Sequence, residues 1–346
     1  MASTDGTPMI NRQWLLARRP RGRLQLADFA YRAGPYEPPP LGEGEILLRN
    51  RLFRFSPAMR GWMKTTAQNV APMAVGEPVL GNTTAEVIAS RAPAYPVGAI
   101  VSTLASWQDY QVIDPAAAAI PPRIKPVDVT LHDFEGVFGT NSLTAYFGLL
   151  RIGEPRPGDT VLVSGAAGST GSVAAQIARI CGCRVIGLAG GPEKCAWLRD
   201  VCGLDAAIDY KNEDVGERLA ALCPDGIQVF FDNVGGRLLD IAIDHMARFG
   251  RIVLCGQIAS YDDGDALAPG PRNMMRVVYW RLRLQGFIVF DFIDAVPEAL
   301  ADLRRWHADG RLVHRSELVV GFKRLPESFL RIFDGSSRGT LLLEAD

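Results

Sequence analysis

Three glycines and a lysine are the residues best suited to chemistry in this chain. Gly165, Gly168 and Gly171 stand in the run GAAGSTG (165–171), and each has its own task. Glycine at 165 lets the chain leave a strand sharply, because it tolerates positive φ. Gly168 has no side chain to hold the backbone away from a pyrophosphate, and Gly171 lets a following helix pack close to the strand. The N-terminus of that helix, with free N–H groups and the positive end of its dipole, suits phosphate. Ala166 stands where the usual fingerprint has glycine. A dinucleotide without a 2′-phosphate is commonly held by Asp or Glu about 20 residues past the glycines. Here the second strand ends in Leu188, Ala189, Gly190 and Gly191 with no acid, and Lys194 follows. A lysine attracts a 2′-phosphate that a carboxylate would repel, so the pattern favours NADP.

The elements that must position these residues follow from the hydrophobic pattern. Residues 160–164 (TVLVS) are a valine-rich run of the kind buried on both faces of a parallel sheet. Residues 172–180 read as a helix with Val173, Gln176, Ile177 and Ile180 on one face, and 184–188 as a second strand. The alternation continues with strand 206–210, helix 214–223, strand 227–231, helix 237–246, strand 250–255 and strand 284–290. Six strands with intervening helices predict an α/β fold with one doubly wound parallel (Rossmann) sheet. A helix is expected over 143–152, ending before Pro155.

Residues 1 to about 125 differ: proline- and glycine-rich turns separate short strands at 45–50, 85–89, 99–104 and 110–113. They predict an all-β region of barrel or partly open barrel type, followed by a connector over 115–126. An amphipathic helix at 296–309 and strands at 317–320 and 340–344 point to a return into the first domain. The expected division is 1–130 with 300–346 for the β domain, and 131–299 for the nucleotide domain.

Other chemistries find little support. The six cysteines (Cys181, Cys183, Cys195, Cys202, Cys223, Cys255) contain no CxxC pair, and four scattered histidines form no ligand spacing, so no metal is expected. His132, His245, His307 and His314 each read as a surface or capping residue. Asp232 reads as a cap for the helix that follows. Met274, Met275, Val277, Val278 and Trp280 read as a pocket wall or subunit contact. A net charge of −1 gives no electrostatic case for nucleic acid or a charged membrane. No apolar run approaches the ~20 residues of a membrane helix, and the first residues lack the apolar core of a signal peptide. A cytoplasmic enzyme is the expectation.

Several segments narrow the family: LTAYFG (143–148), the glycine turn, EKC (193–195), DAAIDYK (205–211), FDNVGG (231–236) and QGFIV (285–289). Together they resemble the prostaglandin reductase branch of the medium-chain dehydrogenase/reductase superfamily, which includes plant alkenal double-bond reductases and bacterial curcumin reductase. The resemblance covers nearly the whole chain, most densely residues 143–290. It implies a GroES-like β-barrel substrate domain, NADPH as cofactor without metal, a small-molecule substrate, and a homodimer formed through the nucleotide domain. It also implies site residues. Lys194 and Tyr210 would hold the 2′-phosphate, with Gly190 beside them. Ala167, Gly168, Ser169, Thr170 and Gly171 would take the pyrophosphate. Asn233 would lie along the cofactor, and Thr144, Phe287, Ile288 and Val289 near the nicotinamide. In CGQIASY (255–261), Cys255 and Gly256 would touch the cofactor, and Tyr261 is the catalytic candidate.

The implied reaction places hydride on the β-carbon of an α,β-unsaturated aldehyde or ketone. Charge moves to the carbonyl oxygen, where a donor must meet it, and the α-carbon takes a proton from Tyr261 or water. The chain departs from the family pattern in three places. Ala58, in SPAMRG (56–61), replaces a tyrosine; Ser337, in SRGT (337–340), replaces an asparagine near the cofactor; and Asn141–Ser142 replace Pro-Gly. Two other readings stay open: a zinc-free quinone or alcohol/ketone oxidoreductase, and an NADPH-binding protein without catalysis.

Overall fold

A computed structural model describes residues 9–65, 70–118, 120–261 and 269–346. Strands β1 (Ile10–Leu16) and β2 (Phe29–Pro35) form an antiparallel hairpin, with Leu16 opposite Phe29. Next come β3 (Ile46–Arg54), β4 (Leu80–Ser90), β5 (Ile100–Ser106), β6 (Tyr110–Ile113) and β7 (Arg123–Ile124). Strand β3 organises them: β4 runs along one edge, and β6 takes the other edge over Ile46, Leu47, Leu48 and Arg49.

The nucleotide half carries β8 (Thr160–Val163), β9 (Arg184–Ala189), β10 (Ala206–Asp209), β11 (Ile227–Asp232), β12 (Met246–Leu254) and β13 (Arg283–Gly286). These form one sheet in the order β10-β9-β8-β11-β12-β13, every pair parallel. Side chains alternate between its two buried faces. Val161, Val163, Val185, Val229, Phe231 and Val253 meet the helices Ser169–Ile180 and Val296–Ala308. Leu162, Ile186, Leu188, Phe230 and Ile252 meet Val215–Leu222 and Gly236–His245. That two-sided burial is why the strands read as unbroken apolar runs.

The chain then returns. β14 (Ser316–Val320) pairs in parallel with β15 (Thr340–Glu344), and β15 lies antiparallel to β3 with Leu342 opposite Arg54. The fold is thus a doubly wound parallel sheet beside an N-terminal β domain. Leu303, Trp306 and Leu312 pack with the nucleotide-domain core. A bridge between Gly168 and Gly339 ties the glycine turn to the returning segment.

Three expected elements are corrected. The strand expected over 284–290 stops at Gly286, and the chain turns into a helical bend at Val289–Ala295. The helix expected over 143–152 is Thr140–Phe147, continued by a wide π-turn over Gly148–Gly153. A Cβ at Gly148 would lie 2.4 Å from the Phe287 ring, so this close crossing depends on glycine. The helix expected from 172 starts at Ser169, directly on the glycine turn. The hairpin β1–β2 and the helix Leu325–Asp334 were not foreseen. β2 shows no alternation, with four consecutive exposed residues.

Candidate active site

The cleft of about 770 Å³ between the two domains takes its floor from the glycine turn. Gly165 has φ +58°, and a Cβ at Gly171 would lie 2.3 Å from the Gly165 carbonyl oxygen. The first helical bond runs from Ser172 N–H to Gly168 C=O at 3.0 Å, so the N–H groups of Ser169, Thr170 and Gly171 precede the ladder. All three residues, with Ala167 and Gly168, line the cleft.

Beyond the end of β9 the cleft is cationic. Lys194 Nζ donates to Gly335 O at 2.7 Å, and its pKa is pushed down by burial and by the neighbouring Lys211, Arg338 and Arg315. Glu193 accepts from Arg338 at 2.7 Å. Gly190 lies so close to Tyr210 that a Cβ would fall 2.8 Å from its hydroxyl. Asp209, just before Tyr210, is committed elsewhere: it accepts from Gly191 N–H at 2.8 Å, Lys211 N–H at 3.1 Å and Asn212 Nδ2 at 2.7 Å. Burial pushes that carboxyl up, and these donors outweigh it and hold it below its ordinary range. Backbone donors, a helix N-terminus and clustered cations form a donor set that fits a phosphorylated dinucleotide.

The other end is apolar. Phe55, Trp62, Leu104, Ile288, Phe290 and Phe333 line it, with Ala58 among them. Thr144 donates its hydroxyl to Thr140 O at 2.8 Å. Asn233 is pinned, donating from Nδ2 to Ser164 O at 2.7 Å and from its N–H to Ser164 Oγ at 2.8 Å. Behind it the buried Asp232 accepts from Ser164 Oγ, Val234 N–H and Gly235 N–H, just ahead of the helix Gly236–His245. Burial pushes the Cys255 thiol up to about 12, which makes it inert at neutral pH. Burial also raises Tyr261, so its phenol keeps the proton it would donate.

Every candidate residue from the sequence lines this cleft: Thr144, the glycine-turn group, Gly190, Lys194, Tyr210, Asn233, Cys255, Gly256, Tyr261, Phe287, Ile288, Val289 and Ser337. Two expectations fail. For Met274, Met275, Val277, Val278 and Trp280 it is the pocket-wall alternative that fails, since none of them lines the cleft; Val277 and Trp280 pack on the far core, while Met275 and Val278 are 57% and 61% exposed and remain open to a subunit contact. His314, expected as a surface or capping residue, is half-buried against Thr340, and burial pushes it down to about 4. Sequence reading also missed Lys211, visible only as a second cation after Tyr210, and the buried pair Arg54–Glu135. Eighty-one positions separate the pair, and no local spacing signals it.

Comparison with known proteins fixes the family. The profile described as "N-terminal domain of oxidoreductase" matches residues 12–120, and "Zinc-binding dehydrogenase" matches 169–305. The NADPH-dependent curcumin reductase of Escherichia coli (strain K12) is 33% identical over 341 residues, 96% of each chain. The chain belongs to the curcumin, prostaglandin and alkenal reductase family. Prostaglandin reductase 1 of Bos taurus is similar at 35% over 341 residues, 96% of this chain and 99% of that one. CurA from Vibrio vulnificus, solved in complex with NADPH, has 36% identity and a TM-score of 0.88, covering 97% of this chain and 99% of its own. Despite the second profile's description, no group of three or more His, Cys, Asp or Glu is placed to hold a metal among the described residues. No helix among them is long and apolar enough to cross a membrane.

Proposed function

We infer that this oxidoreductase reduces the C=C bond of α,β-unsaturated aldehydes or ketones with NADPH. The cleft carries the reading: a cationic phosphate cradle, an apolar chamber, and Tyr261 in the lining as a protonated donor. When bound, the nicotinamide supplies a hydride to the β-carbon. The chain's residues do the rest. Lys194, Tyr210 and Lys211 hold the 2′-phosphate, and the N–H groups of residues 169–171 hold the pyrophosphate. Phe287, Ile288 and Val289 support the nicotinamide end, and the apolar wall excludes water from the enone. A hydrogen-bond donor meets the charge that develops on the carbonyl oxygen. Tyr261 or a water protonates the α-carbon.

The reading extends to assembly and place. β13 ends the six-stranded sheet, and beside it Met275, Val278 and Tyr279 expose apolar surface, which supports a homodimer through the nucleotide domain. The six cysteines are free thiols, which suits a reducing cytoplasm. Product analysis tests the reaction. Incubation of a neutral enone with NADPH is expected to give the saturated ketone; an allylic alcohol, or no turnover of any enal or enone, would overturn it.

A further inference from the structure

A chain of hydrogen bonds crosses from one domain to the other beside the cleft. It begins at the buried pair, where Arg54 Nε donates to Glu135 Oε2 at 2.9 Å and Thr84 Oγ1 donates to Glu135 Oε1 at 2.8 Å. Arg54 Nη1 donates to Asn141 Oδ1 at 2.9 Å, and Asn141 Nδ2 donates to Ser169 Oγ at 2.7 Å. Ser169 Oγ and Thr340 Oγ1 lie 2.5 Å apart, and His314 Nε2 lies 3.0 Å from Thr340 Oγ1. Ser316 Oγ, at the exposed end, lies 3.3 Å from His314 Nδ1.

Donor inventory limits how the protons can be arranged. A guanidinium only donates, so Asn141 must turn its oxygen to Arg54 and its amide N–H to Ser169. Ser169 Oγ therefore always accepts on that side. Thr340 is 1% exposed, so its hydroxyl must find partners within the chain. Two arrangements fit these contacts, and only the first gives the Ser169 hydrogen a partner within the chain. In the first, Ser169 donates to Thr340, Thr340 donates to His314 Nε2, and Nδ1–H donates to Ser316. In the second the order reverses: Ser316 donates to Nδ1, Nε2–H donates to Thr340, and Thr340 donates to Ser169. The Ser169 hydrogen is then turned out into the cleft. Passing from the first to the second, Nδ1 releases its proton to solvent at Ser316, Thr340 passes its proton to Nε2 and takes the Ser169 proton, and Ser169 is reprotonated from the cleft, so the charge is unchanged. The first leaves no donor spare. A phosphate oxygen at the helix N-terminus requires the second, because an anion gains nothing from a hydroxyl whose hydrogen is committed elsewhere.

We propose that His314 is a positioning residue for the cofactor, whose tautomer, acting through Thr340, sets whether the Ser169 hydroxyl faces the β domain or donates to the pyrophosphate. The proposal rests on the NADP placement above. Burial keeps His314 neutral at physiological pH, so the switch is tautomeric. Asn141, which polarises it, stands at one of the positions where this chain departs from the family pattern.

The test is the ¹⁵N spectrum of the full-length protein labelled at histidine, recorded free, with saturating NADP⁺, and with 2′-AMP, which presents no pyrophosphate. His314 is assigned by loss of its signals in H314Q. The free protein and the 2′-AMP complex should show the Nδ1–H tautomer, and the NADP⁺ complex the Nε2–H tautomer. In Ser169→Ala the Nδ1–H form should persist with NADP⁺ bound, with affinity lowered by less than about tenfold for one lost hydrogen bond. Calorimetric binding of NADP⁺ with an unchanged His314 tautomer would overturn the proposal and leave the cofactor reading intact; a shift with 2′-AMP would overturn it too. Absence of NADP⁺ binding would overturn both.

Discussion

Lys194 and Tyr261 both line the cleft, and their surroundings suit different tasks. Lys194 is held among Lys211, Arg315 and Arg338, a set of cations that a 2′-phosphate would relieve. Lys194→Ala should weaken NADPH binding about 10- to 100-fold, the effect of one charge-assisted contact of ~1.5–3 kcal/mol, and leave NADH binding nearly unchanged; equal losses for both, read by titration, would contradict the assignment. Tyr261→Phe should lower kcat by about 10²-fold if the phenol is the proton donor, with NADPH affinity unchanged. His314 gives a prediction in stability. Its folded pKa, about 4, lies below the ordinary 6.5 through burial and His307, with Asp133 opposing. The unfolded chain thus takes up the proton first on acidification. The stability is complete above pH ~6.5 and is lost as pH falls toward the folded value, by up to about 3 kcal/mol. Urea unfolding should lose more stability between pH 7 and 4.5 in the wild type than in H314Q. Residue chemistry was legible where it is local: the glycines, Lys194 and the missing acid lie within one βα unit. His314 was not, because its hydrogen-bond partner Thr340 lies 26 positions away.

The glycine turn works as an element rather than as three residues. Gly171 packs against the Gly165 carbonyl at a distance no Cβ tolerates, so Gly171→Ala must push the helix Ser169–Ile180 off β8. Calorimetry should show a loss of about 1–3 kcal/mol from overpacking, with NADPH binding lost along with the turn. A variant with full affinity would show that the turn does not hold the phosphates. Elements buried on both faces were legible: β8 (TVLV), β9 (RVIGLA) and β11 (IQVFFD) read as predominantly apolar runs. The strand expected beyond Gly286 was misplaced because its apolar residues, Phe287 to Val289, serve the cleft wall instead of a sheet. The segment Gly148–Gly153 looked helical because most of its residues are apolar, while its start at Gly148 is crowded by the Phe287 ring from a distant part of the chain.

At the scale of the molecule, the cleft exists because the chain leaves the β domain and comes back. β15 pairs with β3, and the segment ahead of it meets the glycine turn at the Gly168–Gly339 bridge. The two-domain architecture was legible as a change of texture along the chain, while the contacts that join the domains were not, since they form between residues far apart in sequence. The exposed Met275, Val278 and Tyr279 beside the edge strand β13 should pair with a second copy. On the proposed homodimer, Val278→Asp should shift sedimentation from dimer to monomer, and an unchanged sedimentation coefficient would contradict that interface. The most direct test of the central claim is where the two hydrogens go. Reduction of an enone with NADPH deuterated at the transferring position, in ordinary water, should put deuterium on the β-carbon only. Reduction with unlabelled NADPH in D₂O should label the α-carbon. Deuterium on the carbonyl carbon, with an alcohol as product, would contradict the account.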